Sequence, residues 1–495
     1  MVGQPAPLRG WNVRDRLEAV DPPDYASVLD NWVPEAGRIT LRKGFVEHVT
    51  GLGARIDTFL PFSAGGTSKL FAAAGNKIFD VTASGAVGAA SVSSLTNNRW
   101  VTTMHATSGG NFLVAVNGAD GVRTYDGTTW ATQAITGATA STLIGVASHR
   151  SRLWFIQTNT LSAWYLPVLA VSGAVVEFPL AGLCKAGGTL LAIATWTRDG
   201  GSGPGDLLAF ITTAGEVIVY DGTDPSSATS FGLVGIFKID RPIGRYCATK
   251  YGGDLLILTR SGVVSMNALL PGYGEPERTT LSELIRPAFL EASSSAAAWG
   301  WSISTYGSRG WVIVNVPVIE PTEYVQFVYN AISGGWWRAT NMNGICWKEL
   351  AGRLYFGTST GTVYEADVGA NDDDNAIPTD VMCAFSRYGT SSQKKFKMVR
   401  PFFTLNGVPN PTIDMRVDFD LTAPTSSPQL TLGYTGTPWG SPWGSPWTRA
   451  SRTATQWVGV TGLGHIGAIR MKMSTKDITA SVSGFDVMLE PGGAI

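Results

Sequence analysis

A chain of 495 residues with a formal net charge of −1 carries only 15% charged residues beside 17 tryptophans. That balance argues against a protein whose main task is gripping phosphate backbones, because such binding needs a basic surface. Charge this far below the roughly 25% of an ordinary soluble domain, joined to many aromatics, is the composition of surfaces that become buried against partners.

At the N-terminus, Met1-Val-Gly-Gln-Pro lacks the basic and apolar regions of a secretory signal, and no apolar run reaches membrane-crossing length. The expectation is a soluble product with no membrane segment. Cys184, Cys247, Cys346 and Cys383 have no paired spacing and read as buried free thiols of a reducing compartment. Residues 1–50 read as an arm. Trp11 and Trp32 are its candidate anchors and candidate contacts for another subunit. The turn Pro34-Glu-Ala-Gly37 feeds a strand, Arg38-Ile-Thr-Leu-Arg42, expected to close a ring by pairing with the last repeat.

Residues 51–370 carry one phrase again and again: two short strands alternating apolar and polar residues, joined by a turn of Gly, Ser, Thr, Asn or Asp. Gly352-Arg-Leu-Tyr-Phe-Gly-Thr-Ser-Thr-Gly-Thr-Val-Tyr-Glu-Ala-Asp-Val368 is its clearest copy. Aligning Leu70, Leu113, Leu153, Leu208, Leu256, Val312 and Leu354 gives steps of roughly 40 to 57 residues, the range of propeller blades. A hairpin cannot bury its apolar face alone, so such units stack radially into a closed ring. The fold class expected is all-β: a β-propeller of about six to seven blades.

Asn371-Asp-Asp-Asp-Asn375 reads as a solvated acidic break. Beyond it, residues 371–495 contain cleanly alternating runs, such as Phe396–Leu405, Thr412–Asp420 and Gly467–Met473, that predict a C-terminal β-sandwich. Lys394, Lys395 and Lys397 with Arg400 form the densest basic cluster, read as a contact with an acidic neighbouring subunit or a strand edge blunted by lysines, ahead of a contact with DNA in a channel. Pro438-Trp-Gly-Ser-Pro-Trp-Gly-Ser-Pro-Trp447 sets Trp439, Trp443 and Trp447 on a turn-rich loop. They are either contacts for a partner or rings packed on their own domain.

Motifs that could carry chemistry read as structure instead. Gly357-Thr-Ser-Thr-Gly361 matches a nucleophile elbow, but it lies between two strands where that chemistry needs a strand and a helix. His48, His105, His149 and His465 are scattered, without metal-ligand spacing. Thr124-Tyr-Asp-Gly-Thr-Thr-Trp130 approximates the Asp-box turn of sialidase-type propellers, and Tyr220-Asp-Gly-Thr223 repeats part of it. Asp then bonds its own backbone while Gly accepts positive φ. No catalytic residue, metal or cofactor is expected.

Several stretches resemble the packaged-DNA-stabilising tail nozzle or hub proteins of short-tailed (podovirus-type) bacteriophages. These are the opening Asn31-Trp-Val-Pro leading to Arg42-Lys-Gly-Phe45, Ile144-Gly-Val-Ala-Ser-His-Arg-Ser-Arg-Leu-Trp-Phe-Ile156, Gly244-Arg-Tyr-Cys-Ala-Thr-Lys250 and Ile466-Gly-Ala-Ile-Arg-Met-Lys-Met473. The resemblance is spread over most of the chain and rests on no single invariant motif. It implies a virion protein made in the host cytoplasm: a hexameric ring below portal and adaptor that retains the genome. Double-stranded DNA would pass through its lumen without specific binding. The rival expectation is a propeller that binds or cleaves glycans in host recognition.

Overall fold

The seven aligned residues do occupy one equivalent place. In the computed structural model, which describes residues 1–14, 24–199, 204–270, 280–294, 299–424 and 452–492, each lies on the second strand of a separate antiparallel unit. All seven are at most 2% exposed. Burying an aliphatic side chain of this size stabilises by about 1.5–3 kcal/mol, so this repeated position is a main source of the ring's cohesion.

The first strands of these units follow one another around an axis: Ile56–Ala64, Val101–Thr107, Leu143–His149, Leu190–Asp199, Ala248–Tyr251, Ser302–Tyr306 and Cys346–Leu350. Each packs beside the next, and the seventh packs beside the first. The described residues therefore form a seven-bladed β-propeller. Blade 4 is built from the longest strands, ending in Phe231–Lys238 on its outer edge. Two short helices, Met266–Leu269 and Arg286–Ser294, follow blade 5.

Closure differs from the expectation. Arg38–Leu41 pairs with Trp32–Glu35 and Ala480–Pro491, in the C-terminal sandwich. The strand that closes the ring is the next one, Gly44–Thr50, which pairs antiparallel with Val363–Val368 of blade 7. Gly44 allows this, because a Cβ there would stand 1.6 Å from the Asn371 carbonyl oxygen. Only a residue without a side chain lets the two backbones approach so closely.

The rest of the arm ties the propeller to the sandwich. Ala26–Asp30 pairs with Ile377–Cys383 and meets Gly335–Ala339 of blade 6 in parallel at Asp30 and Arg338. Blade 6 thus continues, without a break in pairing, into one sheet of the sandwich, through Gly467–Thr475 to Thr412–Val417. The facing sheet contains Val2–Pro5, Trp32–Glu35, Arg38–Leu41, Lys394–Leu405 and Ala480–Pro491. Phe396, Phe403, Val482 and Phe485 from that sheet share a core with Leu29, Val381, Ile413 and Met471 from the other.

The acidic break is not a solvated linker along its length. Asp372 is 1% exposed and bonds both Arg42 guanidinium nitrogens through its two oxygens, at 2.7 and 2.6 Å. A buried carboxylate persists only when paired in this way.

Candidate functional site

The first strands of the blades enclose a central channel of about 930 Å³. One end of it is crossed by the segment before the first strand of blade 5. The Tyr246 hydroxyl donates to the Trp100 carbonyl at 2.8 Å and lies 3.2 Å from Thr58 Oγ1. Thr58 belongs to blade 1 and Trp100 immediately precedes blade 2, while Tyr246 precedes blade 5, with two blades intervening on either side. The phenol therefore spans the mouth rather than bridging neighbours. Burial raises its pKa further above the usual tyrosine range than the Thr58 contact lowers it. The neighbouring Arg245 reaches the same side of the ring, donating to the Asn117 carbonyl at 3.2 Å.

Among the described residues, five charged side chains line the channel: Asp57, Arg245, Lys250, Lys348 and Glu349. The two carboxylates are occupied. Asp57 pairs with Arg55 at 2.7 Å, and Glu349 accepts from the Gly307 amide at 2.7 Å and from Ser308 Oγ at 3.3 Å. The three cations have no carboxylate in ion-pairing range among the described residues. Burial pulls Arg245, Lys250 and Lys348 below their usual pKa ranges, and Arg99 adds like-charge repulsion at Arg245. Arg99 itself stacks over the Trp299 ring at 4.1 Å, and the Trp299 ring meets Tyr246 edge-on.

A second feature lies on the outer rim. In the blade 4 edge strand Phe231–Lys238, Leu233, Val234 and Ile236 are 44%, 48% and 39% exposed. Exposed Val168, Leu169 and Val176 belong to the third blade, next in the ring. An edge strand with unpaired backbone groups and apolar side chains is a template for another chain, and proteins ordinarily blunt such edges. Here the strand's one charged residue is its last, Lys238.

The residues singled out from sequence fall elsewhere. Trp11 and Trp32 lie inside the molecule, 5% and 0% exposed, and do not form an outward-facing contact. Trp11 donates its indole N–H to the Ser27 carbonyl and meets Phe327 edge-on at 5.2 Å, so it clamps the arm onto blade 6. The basic cluster is largely spent within the sandwich. Lys394 is fully buried and donates to the carbonyls of Thr390 and His465, Lys397 pairs with Glu490, and Arg400 pairs with Asp486. Lys395 is exposed. Alternation along Lys394–Leu405 explains the split, because successive side chains take opposite faces. Trp439, Trp443 and Trp447 lie outside the described residues.

Gly357-Thr-Ser-Thr-Gly361 is a hairpin turn, with Thr358 Oγ1 accepting the Thr362 amide at 3.1 Å. Asp126 gathers the amides of Thr129 and Thr128 at 2.7 and 2.8 Å, and their hydroxyls, which holds its carboxyl well below the usual range. His48, His105, His149 and His465 each contact a separate carbonyl or hydroxyl. Among the described residues no three His, Cys, Asp or Glu side chains gather as a metal site. All four cysteines are free; Cys247 and Cys383 are buried, while Cys184 and Cys346 are half-buried. No helix of the described residues is long and apolar enough to cross a membrane.

The channel cations escape the sequence as a group because Lys348 lies on blade 7, about a hundred residues from Arg245 and Lys250 of blade 5. The signal that existed was Gly244-Arg-Tyr-Cys-Ala-Thr-Lys250, which carries Arg245, Tyr246 and Lys250 together.

No protein-family model matches the chain, and no curated protein matches it. Among solved structures, the β-propeller domain of Myceliophteria thermophila Cps50 (Swd1) is 14% identical, with a TM-score of 0.41 over 66% of this chain and 99% of that one. BBS1N, solved in complex with ARL6DN, is 11% identical, with a TM-score of 0.41 over 66% and 97%. The computationally designed Ika8 protein is 11% identical, with a TM-score of 0.38 over 65% and 100%.

Proposed function

We propose that this chain is a structural subunit that assembles with copies of itself, in the form its sequence resemblance suggests: a ring of a short phage tail, below portal and adaptor. The observation carrying this reading is the apolar, unblunted blade 4 edge Phe231–Lys238, which calls for a covering chain. The low charge and high tryptophan content support it, since they suit a molecule much of whose surface becomes interface. So does the unbroken pairing of blade 6 into the sandwich, which lets load pass between the two parts without a hinge.

The size of the channel supports a route for DNA outside the propeller. A cavity of about 930 Å³ is that of a small-molecule site, and Tyr246 crosses it, so no duplex threads the propeller. In this reading DNA passes through a lumen formed between copies, around the assembly axis.

The test is light scattering with negative-stain electron microscopy on the purified full chain, alone and with portal and adaptor. Closed rings with a central opening are expected in at least one condition. A monomer in both, or specific retention or cleavage of polysaccharide by that monomer, would overturn the proposal.

A further inference from the structure

The channel's charges are arranged one-sidedly. Asp57 and Glu349 are held by Arg55 and by the Gly307–Ser308 turn, whereas Arg245, Lys250 and Lys348 face the same cavity with no carboxylate in ion-pairing range among the described residues. Arg245 and Lys348 are half-buried, and cations partly withdrawn from water are costly unless an anion compensates them. Nor does the chain as a whole lack acids: Asp and Glu together number 38 against 37 Lys and Arg. The shortage is local to this cavity.

We infer that the propeller channel is a binding site for a small polyanion of the phosphate-chain type, held by Arg245 at the crossed end and by Lys348 and Lys250 along the walls. The walls explain the preference for an extended anion. Thr249 and Glu349 stand at one level, opposite Leu256 and Leu354 of the second strands. Lys250 is one residue beyond that level on blade 5, and Lys348 one residue before it on blade 7. The two are therefore offset by about 7 Å along the strands and separated by blade 6. A single monovalent ion cannot meet both, while a chain of anionic groups can. Burial has already lowered the proton affinity of half-buried Lys348, and a bound anion would restore it. Arg99, stacked on Trp299 beside Tyr246, is a further cation near the crossed end. Binding here uses the chain's own channel and is independent of how copies assemble.

Isothermal titration of the full chain with inorganic tripolyphosphate, in buffer free of divalent metal, tests it. The expected result is one site per chain, weakened by added salt, with Arg245→Gln, Lys250→Met and Lys348→Met each weakening binding about tenfold, the size of one lost charge-assisted hydrogen bond. Lys395→Met, exposed on the sandwich, should bind as the parent does. Arg245 helps close the channel, so a lowered melting temperature in Arg245→Gln leaves the decision to Lys250→Met, at an exposed position. Absence of binding would overturn the inference, as would equal binding by the three channel variants or loss in Lys395→Met.

Discussion

Arg42 and Asp372 form a two-point ion pair with side chains only 2% and 1% exposed. The guanidinium also donates to Asn31 Oδ1 and to the carbonyls of Lys43 and Thr340. One side chain thus joins the arm, the end of blade 6 and the segment leaving blade 7. This is the knot where the ring closes and the sandwich begins.

Removing one partner should cost far more than removing both. Arg42→Met strands a buried carboxylate and is expected to destabilise by about 3–5 kcal/mol, whereas Arg42→Met with Asp372→Leu should recover much of that loss. Urea denaturation of the two variants checks it. Equal losses would mean that the pair matters for its volume and not for its charge.

Gly44→Ala should open the ring locally. The added Cβ meets the Asn371 carbonyl, and the backbone shift needed to relieve it costs about 1–3 kcal/mol or more. Hydrogen exchange should then accelerate in Val363–Val368, the strand that Gly44–Thr50 covers, while the blade 3 strands remain protected.

Asp126 makes one turn of blade 2 sensitive to acid. Hydrogen bonds from the Thr129 amide, then from Thr128, lower its folded-state pKa below the ordinary value of 3.8. The sign is that of a depressed acid: its contribution is present above the unfolded pKa and is lost as pH falls toward the folded one. Asp126→Ala should therefore melt below the parent at neutral pH, and the gap should narrow as pH drops below about 3.8. A gap that stayed constant down to that point and beyond would contradict the assignment.

Val234→Lys places a charge in the middle of the exposed edge strand, the device by which natural edges avoid pairing. Light scattering should show the variant shifted toward monomer, with its melting temperature changed by little because Val234 is 48% exposed. Unchanged assembly would move the interface away from blade 4.

Much of the propeller was legible because its signal is local. A buried residue recurs on each second strand, from Leu70 to Leu354, and Asp126-Gly127 declares its own turn. What escaped was set by contacts between distant parts of the chain. Gly44–Thr50, not Arg38–Leu41, closes the ring because only the former meets Val363–Val368, and alternation alone cannot choose between them. Asp372 looked solvated among its acidic neighbours until Arg42 was brought to it. Lys394 looked like surface charge, yet its register on the strand turns it inward, where two carbonyls receive it. Arg245, Lys250 and Lys348 gained a common purpose only once the ring placed blades 5 and 7 around one cavity.

Assembly through the blade 4 edge is most directly tested by amide hydrogen exchange across Phe231–Lys238 at high and at low protein concentration. The outward-facing amides of this strand should be protected when the chain is concentrated and exchange freely when it is dilute, while the inner strand Glu216–Gly222 is unaffected. Exchange that is fast at both concentrations, in a sample that light scattering shows to be assembled, would contradict it.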